Sequence, residues 1–115
     1  MMRTMLKSKI HRATVTGADI HYEGSITIDG DLLRAADMLE GEQAHVFDID
    51  NGERLVTYVM AGPAGSGQIV MNGAAARKVV VGDKIIVVTY TTLDEAEARK
   101  GRPTVVLVDE HNRVQ

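Results

Sequence analysis

The segment Tyr22-Glu23-Gly24-Ser25 places a hydroxyl directly after a glycine, at the point where an alternating apolar run begins. Gly-Ser is a frequent turn dipeptide, and a turn is the simpler interpretation. A chemical interpretation is that Ser25 attacks the carbonyl of Gly24, because glycine has no Cβ to crowd the approach and tolerates strained dihedral angles. The pair is therefore a candidate site of backbone chemistry.

A second candidate group lies in Arg54-Leu55-Val56-Thr57-Tyr58. In a β-strand, Arg54 and Tyr58 project from the same face, and Thr57 points the opposite way. An exposed arginine beside a tyrosine at a barrel edge is the more common arrangement. The functional interpretation combines a carboxylate clamp with a phenolic acid. Thr57 would join that site only if the strand bulges or twists, or if another subunit meets it.

A third candidate is Asn72-Gly73-Ala74-Ala75, a glycine turn that enters a helical turn. Free backbone N–H groups there could receive an anion, although small residues also occur where two backbones pack closely. Lys9 and His11 would share one face of the first strand. The chain has no cysteine, which removes thiol nucleophiles and zinc–thiolate sites. No metal-ligand spacing is found among the four histidines, His11, His21, His45 and His111.

The composition favours a β-rich fold with tight turns and an aliphatic core. Among 115 residues there are eleven glycines, two prolines, three tyrosines and one phenylalanine. The patterns predict strands over 4–16 (with a bulge or kink), 25–29, 43–49, 54–60, 68–71, 84–92 and 104–108. Six or seven short strands suggest a small closed β-barrel with mixed pairing, because closure leaves no exposed sheet edges.

Turn and cap residues divide these strands. Asn51-Gly52 between two apolar runs predicts a hairpin. Asp29 or Asp31 is expected to cap a short helix that continues through Leu39 and ends at Gly41. About one helical turn is expected after Gly73, and a second helix over 94–100.

Charge and hydropathy exclude several classes of partner. Thirteen basic and sixteen acidic side chains give a net charge of −3, so no overall positive field attracts nucleic acid or an anionic membrane. The longest apolar runs have four residues, as in Ile85–Val88, too few for a membrane span or a secretory signal. These features predict one domain over residues 1–115, located in the cytoplasm.

Together, the candidate residues resemble the family of pyruvoyl-dependent aspartate 1-decarboxylases. The resemblance extends over residues 3 to about 103, and only the combination of its motifs is specific. The matching segments are Arg3-Thr4-Met5-Leu6, Lys7-Ser8-Lys9-Ile10-His11-Arg12, Ala18-Asp19-Ile20-His21-Tyr22-Glu23-Gly24-Ser25, Asn51-Gly52, Thr57-Tyr58 and Asn72-Gly73-Ala74-Ala75-Ala76. One departure is Arg77, where family members often carry histidine, and it could alter the edge of the pocket.

The resemblance implies a mainly β fold, a small closed six-stranded double-psi β-barrel with short helices, assembled as a homotetramer in the cytoplasm. It implies autocatalytic cleavage between Gly24 and Ser25 into a β chain (1–24) and an α chain (25–115). Ser25 becomes a covalent pyruvoyl group that forms a Schiff base with L-aspartate, without metal or pyridoxal phosphate. Decarboxylation to β-alanine and CO₂ then serves pantothenate and coenzyme A synthesis. A maturation factor is a further partner to consider.

The resemblance also implies roles for individual residues. Tyr58 is the proton donor to the α-carbon, and Thr57 holds the Gly24 carbonyl during processing and takes part in substrate binding. The remaining substrate-binding residues are Lys9, Arg54, Gly73, Ala74 and Ala75. His11, Tyr22 and Asn72 line the site in a secondary role.

Two other functions remain open from the residues alone. One is a non-catalytic β-barrel interaction or regulatory module, such as a swapped-hairpin transcription regulator, although the chain has no basic stripe. The other is a serine hydrolase that uses Ser25 with His11 or His21, although no nucleophile elbow is present.

Overall fold

The computed structural model describes residues 1–115, half of them in β-strands and a smaller share in helices. The eight strands are β1 Met2–Thr14, β2 Gly17–Asp19, β3 Ser25–Asp29, β4 Gln43–Asp48, β5 Arg54–Gly62, β6 Ile69–Asn72, β7 Lys84–Asp94 and β8 Thr104–Leu107. The helices are α1 Gly30–Ala36 and α2 Glu95–Lys100, with a 3₁₀ turn at Gly73–Arg77. None of the helices is long and apolar enough to cross a membrane.

The strands hydrogen-bond in the order β2-β6-β3-β5-β4-β7-β1-β8. The pairs β3–β5, β1–β8 and β2–β6 are parallel and the other pairs antiparallel, which confirms the predicted mixed pairing. The predicted closed six-stranded barrel is not confirmed, because the order contains eight strands and its end strands, β2 and β8, do not pair with each other. The strand that the sequence patterns missed is β2, whose three residues are too few for a periodic pattern.

A single cluster of 21 buried residues forms the core, and it contains only Ile, Val, Leu, Met and Ala. Its largest fully buried members include Ile10, Ile26, Ile28, Ile69 and Ile85. Burial of such a side chain contributes about 1.5–3 kcal/mol relative to an exposed one. The prediction of an aliphatic core is therefore confirmed.

The long first strand is irregular, as its change of apolar phase predicts. Its register against β7 shifts between Leu6 and Ser8 and again between His11 and Ala13. Arg12 lies at the second shift with φ of 67°, in the left-handed region. Bulges of this kind bend a strand, and β1 pairs with β7 along its length and with β8 between the two shifts, from Ser8 to His11.

Helix α1 begins as predicted but is shorter than predicted. The carboxylate of Asp29 caps it by accepting the N–H of Asp31 at 2.8 Å. The helix ends where Asp37 adopts φ of 56°, so the prediction that it continues through Leu39 to Gly41 is wrong. Glycine is the usual residue in this left-handed conformation at the end of a helix, but aspartate also tolerates it. The hairpin is confirmed, with Gly52 at φ of 78° between β4 and β5.

Candidate functional site

The hydroxyl of Ser25 is buried and held by two partners. Ser25 is the first residue of β3, is fully buried, and lies opposite Asn72 of β6. Its Oγ accepts a hydrogen bond from Nδ2 of Asn72 at 3.0 Å and donates to the carbonyl of Glu23 at 3.2 Å. Neither partner is a histidine, so the hydrolase arrangement with His11 or His21 is not formed.

The backbone around Gly24 packs directly against Gly73. Gly73 has φ of 64°, and a Cβ built on it would lie 2.7 Å from both Cα and N of Gly24 and 2.8 Å from the carbonyl oxygen of Tyr22. Real Cβ atoms do not make such short contacts with backbone, so only glycine fits here. The small residues after Asn72 thus allow the predicted close approach of two backbones, with Gly24 as the neighbour.

A cavity of about 450 Å³ opens beside this contact. Its lining residues are Gly24, Leu55, Val56, Thr57, Tyr58, Ala74, Ala75 and Lys78. The structure therefore brings together five residues that the family resemblance assigns to processing or to the substrate. They come from three separate parts of the chain: the residue just before β3, the first half of β5, and the 3₁₀ turn.

Thr57 and Tyr58 both line the cavity although they point to opposite faces of β5. The register of β5 against β4 is continuous from Arg54 to Tyr58, so no bulge is present. On its other edge, β5 pairs with β3 only from Val59, which lies opposite Ile26. Extending that parallel register places Ser25 next to Tyr58 and Gly24 next to Thr57. Because the cavity lies at this unpaired edge, it meets side chains from both faces.

Other predicted substrate ligands lie outside this cavity in the single chain. The guanidinium of Arg54 lies 4.5 Å from the centroid of the Phe47 ring, over its face. Lys9 is half-buried in the middle of β1, opposite Val88 of β7 and Val105 of β8. Tyr22 is 52% exposed.

His11 belongs to a different cavity. That cavity, of about 460 Å³, is formed with residues near the carboxyl terminus, among them Asp109 and His111. Burial, followed by the positive charges of Lys9 and Arg12, holds the pKa of His11 below its usual value, which favours the neutral imidazole near pH 7. Its Nδ1 is buried without a hydrogen-bond partner.

Lys78 is a cavity residue that the sequence patterns missed. It is the only cationic side chain in the lining, and its Nζ forms an ion pair with Oε2 of Glu53 at 3.0 Å. Its carbonyl accepts a hydrogen bond from Nδ2 of Asn51 at 2.8 Å, so the hairpin tip borders the cavity. No sequence signal identifies it, since a lysine after a helical turn is ordinarily solvated. Arg77, the departure from the family pattern, is exposed and outside the lining.

Comparisons with known proteins identify the family. The chain is similar in fold to the rationally designed mkDPBB_sym_86 protein, a double-psi β-barrel design, with a TM-score of 0.50 and 19% sequence identity. The alignment covers 67% of this chain and 90% of that chain. A family model described as aspartate decarboxylase matches residues 1–115. With the whole chain matched, this protein belongs to the aspartate decarboxylase family.

Proposed function

We propose that this protein converts L-aspartate to β-alanine and CO₂ after cleaving its own chain between Gly24 and Ser25. Membership of the aspartate decarboxylase family supports the reaction. The cleavage proposal depends on one observation, the buried hydroxyl of Ser25. Asn72 holds this hydroxyl by a hydrogen bond, next to the place where Gly73 packs against the backbone of Gly24. The role in pantothenate and coenzyme A synthesis follows from the same family resemblance.

The first step of cleavage is attack of Ser25 Oγ on the carbonyl carbon of Gly24. The C–N bond is replaced by an ester, and the amino group of Ser25 is released. Loss of the Ser25 α-proton then breaks the Cβ–Oγ bond, which leaves a carboxylate on Gly24 and a dehydroalanine at position 25. Water hydrolyses this residue and ammonia departs. Because an ester is less stable than an amide, the fold must favour the shift by positioning these groups.

The residues around Ser25 fit a pyruvoyl group. It would occupy the position of Ser25. Because Gly73 has no Cβ, the backbone of Gly24 fits beside this position. A pyruvoyl group at this position would supply an electrophilic ketone for the substrate amine and would act as an electron sink for decarboxylation. The protein's task is to place and orient the substrate against it.

The cavity residues have separate tasks in this proposal. The hydroxyl of Tyr58 delivers a proton to the α-carbon after decarboxylation. The hydroxyl of Thr57, next to Gly24 in the extended register, holds the Gly24 carbonyl during cleavage and later contacts substrate. Backbone groups of Gly73, Ala74 and Ala75 contact the substrate from the 3₁₀ turn.

The substrate carries two carboxylates, and in this proposal a cationic side chain binds each of them. Lys78 is one cation at the cavity wall, with its charge shared with Glu53. Lys9 and Arg54 are the cations that the family resemblance assigns, and they lie outside the cavity of their own chain. We infer that they reach it from a neighbouring subunit of a homotetramer. Arginine would hold a carboxylate with two parallel hydrogen bonds, whereas lysine acts as a point charge.

Denaturing mass spectrometry of the purified protein tests the proposal. We expect one fragment that ends at Gly24 and a second that is lighter by one ammonia than a peptide beginning with Ser25. Borohydride together with aspartate should trap a covalent adduct on the second fragment. An intact chain without adduct would instead indicate a non-catalytic interaction module.

The Ser25→Ala variant removes both the attacking hydroxyl and the source of the ketone. We expect no cleavage and no β-alanine, measured by mass spectrometry and by product chromatography. Ser66→Ala, in an exposed loop, is the matched control and should behave as the parent protein. A cleaved or active Ser25→Ala protein would contradict the proposal.

A further inference from the structure

Three carboxylates converge where the tip of the β4–β5 hairpin meets the start of β7. They belong to Asp48, Asp50 and Asp83, and one oxygen from each lies within 4.8 Å of the others. The hairpin tip is tied to this part of the chain, because the N–H of Lys84 donates to Oδ2 of Asp50 at 2.7 Å. The N–H of Ile49 also donates to the carbonyl of Lys84, at 2.8 Å. The cluster is therefore part of a fixed junction.

One oxygen in the cluster is buried and unpartnered. Asp48 is only 3% exposed, and its Oδ1 accepts the N–H groups of Asp50 at 2.8 Å and Asn51 at 3.2 Å. Its Oδ2 is buried with no hydrogen-bond partner. With Oδ1 occupied by the hairpin turn, Oδ2 is the oxygen of Asp48 left for the neighbouring carboxylates of Asp50 and Asp83. An unpaired buried carboxylate oxygen is costly and calls for a positively charged partner.

No side-chain cation supplies that partner. Lys84 directs its Nζ to the hydroxyl of Thr14, and Lys78 pairs with Glu53 at 3.0 Å. None of the ion pairs in the chain involves the three clustered aspartates. Burial raises the pKa of Asp48 and the adjacent Asp83 carboxyl raises it further, so this pair would be stabilised either by a shared proton or by a cation. The junction therefore concentrates negative charge around a buried acceptor.

We propose that Asp48, Asp50 and Asp83 bind one hard divalent cation such as Ca²⁺. Oxygen atoms on opposite sides of Ca²⁺ are up to about 5 Å apart, since Ca–O distances are roughly 2.3–2.6 Å. The separation of the three oxygens fits this limit. Asp50 is exposed, which leaves a path for the ion and room for water ligands. The ion would fasten the hairpin tip to β7, and Asn51 of that tip contacts Lys78 at the cavity.

Calorimetric titration and thermal denaturation of the full-length protein test the site. After treatment with EDTA at pH 7, the protein is titrated with CaCl₂ and, separately, with MgCl₂. We expect one ion per chain, a rise in Tm that saturates with the added salt, and reversal by EDTA. These readouts do not depend on cleavage or decarboxylation, so the cation site and the proposed function can fail separately.

The Asp83→Asn variant removes one ligand charge and leaves an oxygen for the N–H of Val80, which Asp83 now accepts. We expect affinity for the cation to fall by at least about tenfold. If this variant does not fold, Asp50→Asn, at the exposed ligand, tests the same loss. Asp109→Asn is the matched control, because Asp109 also accepts backbone N–H groups in a turn but lies outside the cluster.

Two results would overturn the proposal. One is the absence of a saturable effect of either salt, or an equal effect in the parent and in Asp83→Asn. The other is a rise in Tm between pH 7 and pH 5 without any cation effect, which would show that Asp48 and Asp83 share a proton instead.

Discussion

At the scale of single residues, orientation of the Ser25 hydroxyl depends on a contact across 47 positions of sequence. Nδ2 of Asn72 donates both to Oγ of Ser25 and to Oγ1 of Thr27, each at 3.0 Å. Because Asn72 itself is 3% exposed, its amide has little freedom to turn elsewhere. The family resemblance ranked Asn72 as secondary, whereas the structure makes it the direct partner of the proposed nucleophile.

The Asn72→Ala variant should slow self-cleavage by about tenfold or more, because misplacing a reacting group by an ångström can cost that much. The fraction of cleaved chain is measured over time by denaturing mass spectrometry. Thr27→Val is the control, since it removes the other acceptor of Nδ2 and leaves the contact with Ser25. Equal cleavage in Asn72→Ala and the parent would remove Asn72 from the mechanism.

The Tyr58→Phe variant should cleave normally and lose most decarboxylation, because the phenolic proton is needed only after the ketone exists. A proton donor of this kind contributes about 10²–10⁴-fold to rate. Cleavage is followed by mass spectrometry and turnover by β-alanine release. Tyr90→Phe, a partly exposed tyrosine stacked edge-on against His45, is the control. Unchanged turnover in Tyr58→Phe would assign the proton to another group.

At the scale of elements, one carboxylate joins the end of β3 to α1 and to the following loop. Asp29 is 1% exposed and accepts the N–H groups of Asp31, Gly65 and Gly67 at 2.8–2.9 Å. Burial alone would raise the pKa of Asp29, but these hydrogen bonds, with the charge of Arg113, hold it below its usual value. Asp29 therefore stabilises the segment that positions β3 next to β5.

The Asp29→Ala variant should lower the free energy of unfolding by about 3 kcal/mol, since one buried and two partly buried N–H groups lose a charged acceptor. Asp31→Ala, which removes an exposed ion pair with Arg34, should cost about 0.5 kcal/mol. Urea denaturation measures both. A loss of 0.5 kcal/mol or less in Asp29→Ala would contradict this role.

The lowered pKa of Asp29 predicts that the free energy of unfolding depends on pH. Because its folded pKa is lowered, its contribution is present above the unfolded pKa of about 3.9 and is lost as pH falls through the folded value. Below that pH, we expect the parent and Asp29→Ala proteins to approach each other in stability. A difference that persists at that acidity would be inconsistent with a charged Asp29.

At the scale of the whole molecule, a single chain contains part of the proposed site. The cavity has Thr57, Tyr58 and one cation, while the half-buried Lys9 and the exposed Arg54 lie outside it. A cyclic or dihedral oligomer can place one surface of a subunit against another in every copy. The proposed homotetramer would complete each cavity in this way.

Co-expression of Lys9→Ala and Tyr58→Phe chains tests the shared site. If Lys9 and Tyr58 come from different subunits, random assembly restores about a quarter of the sites, whereas each variant alone is nearly inactive. β-Alanine release from the purified mixture measures the restoration, and separately purified, unmixed variants are the control. Complete absence of activity in verified mixed tetramers would show that both residues serve the same chain.

Features that depend on neighbours in sequence were predictable. The hairpin at Asn51-Gly52, the bulged β1 and the cap at Asp29 follow from local backbone preferences and apolar period, which act over a few residues. The aliphatic core follows from composition. The three-residue β2 was not predictable, because its pairing with β6 comes from the surrounding sheet and not from its own pattern.

In the candidate site, too, some features were predictable from the sequence and others were shown only by the tertiary structure. Residue types and spacing identified Gly24-Ser25 and the strand Arg54–Tyr58 as two separate candidates, and family resemblance joined them in one site and assigned their chemistry. Only the tertiary structure showed that the free edge of β5 lets Thr57 and Tyr58 share a cavity. It alone joined Asp48 to Asp83, 35 positions away. The reason is physical: local preferences determine the conformation of short segments, whereas long-range packing and strand order determine which segments meet.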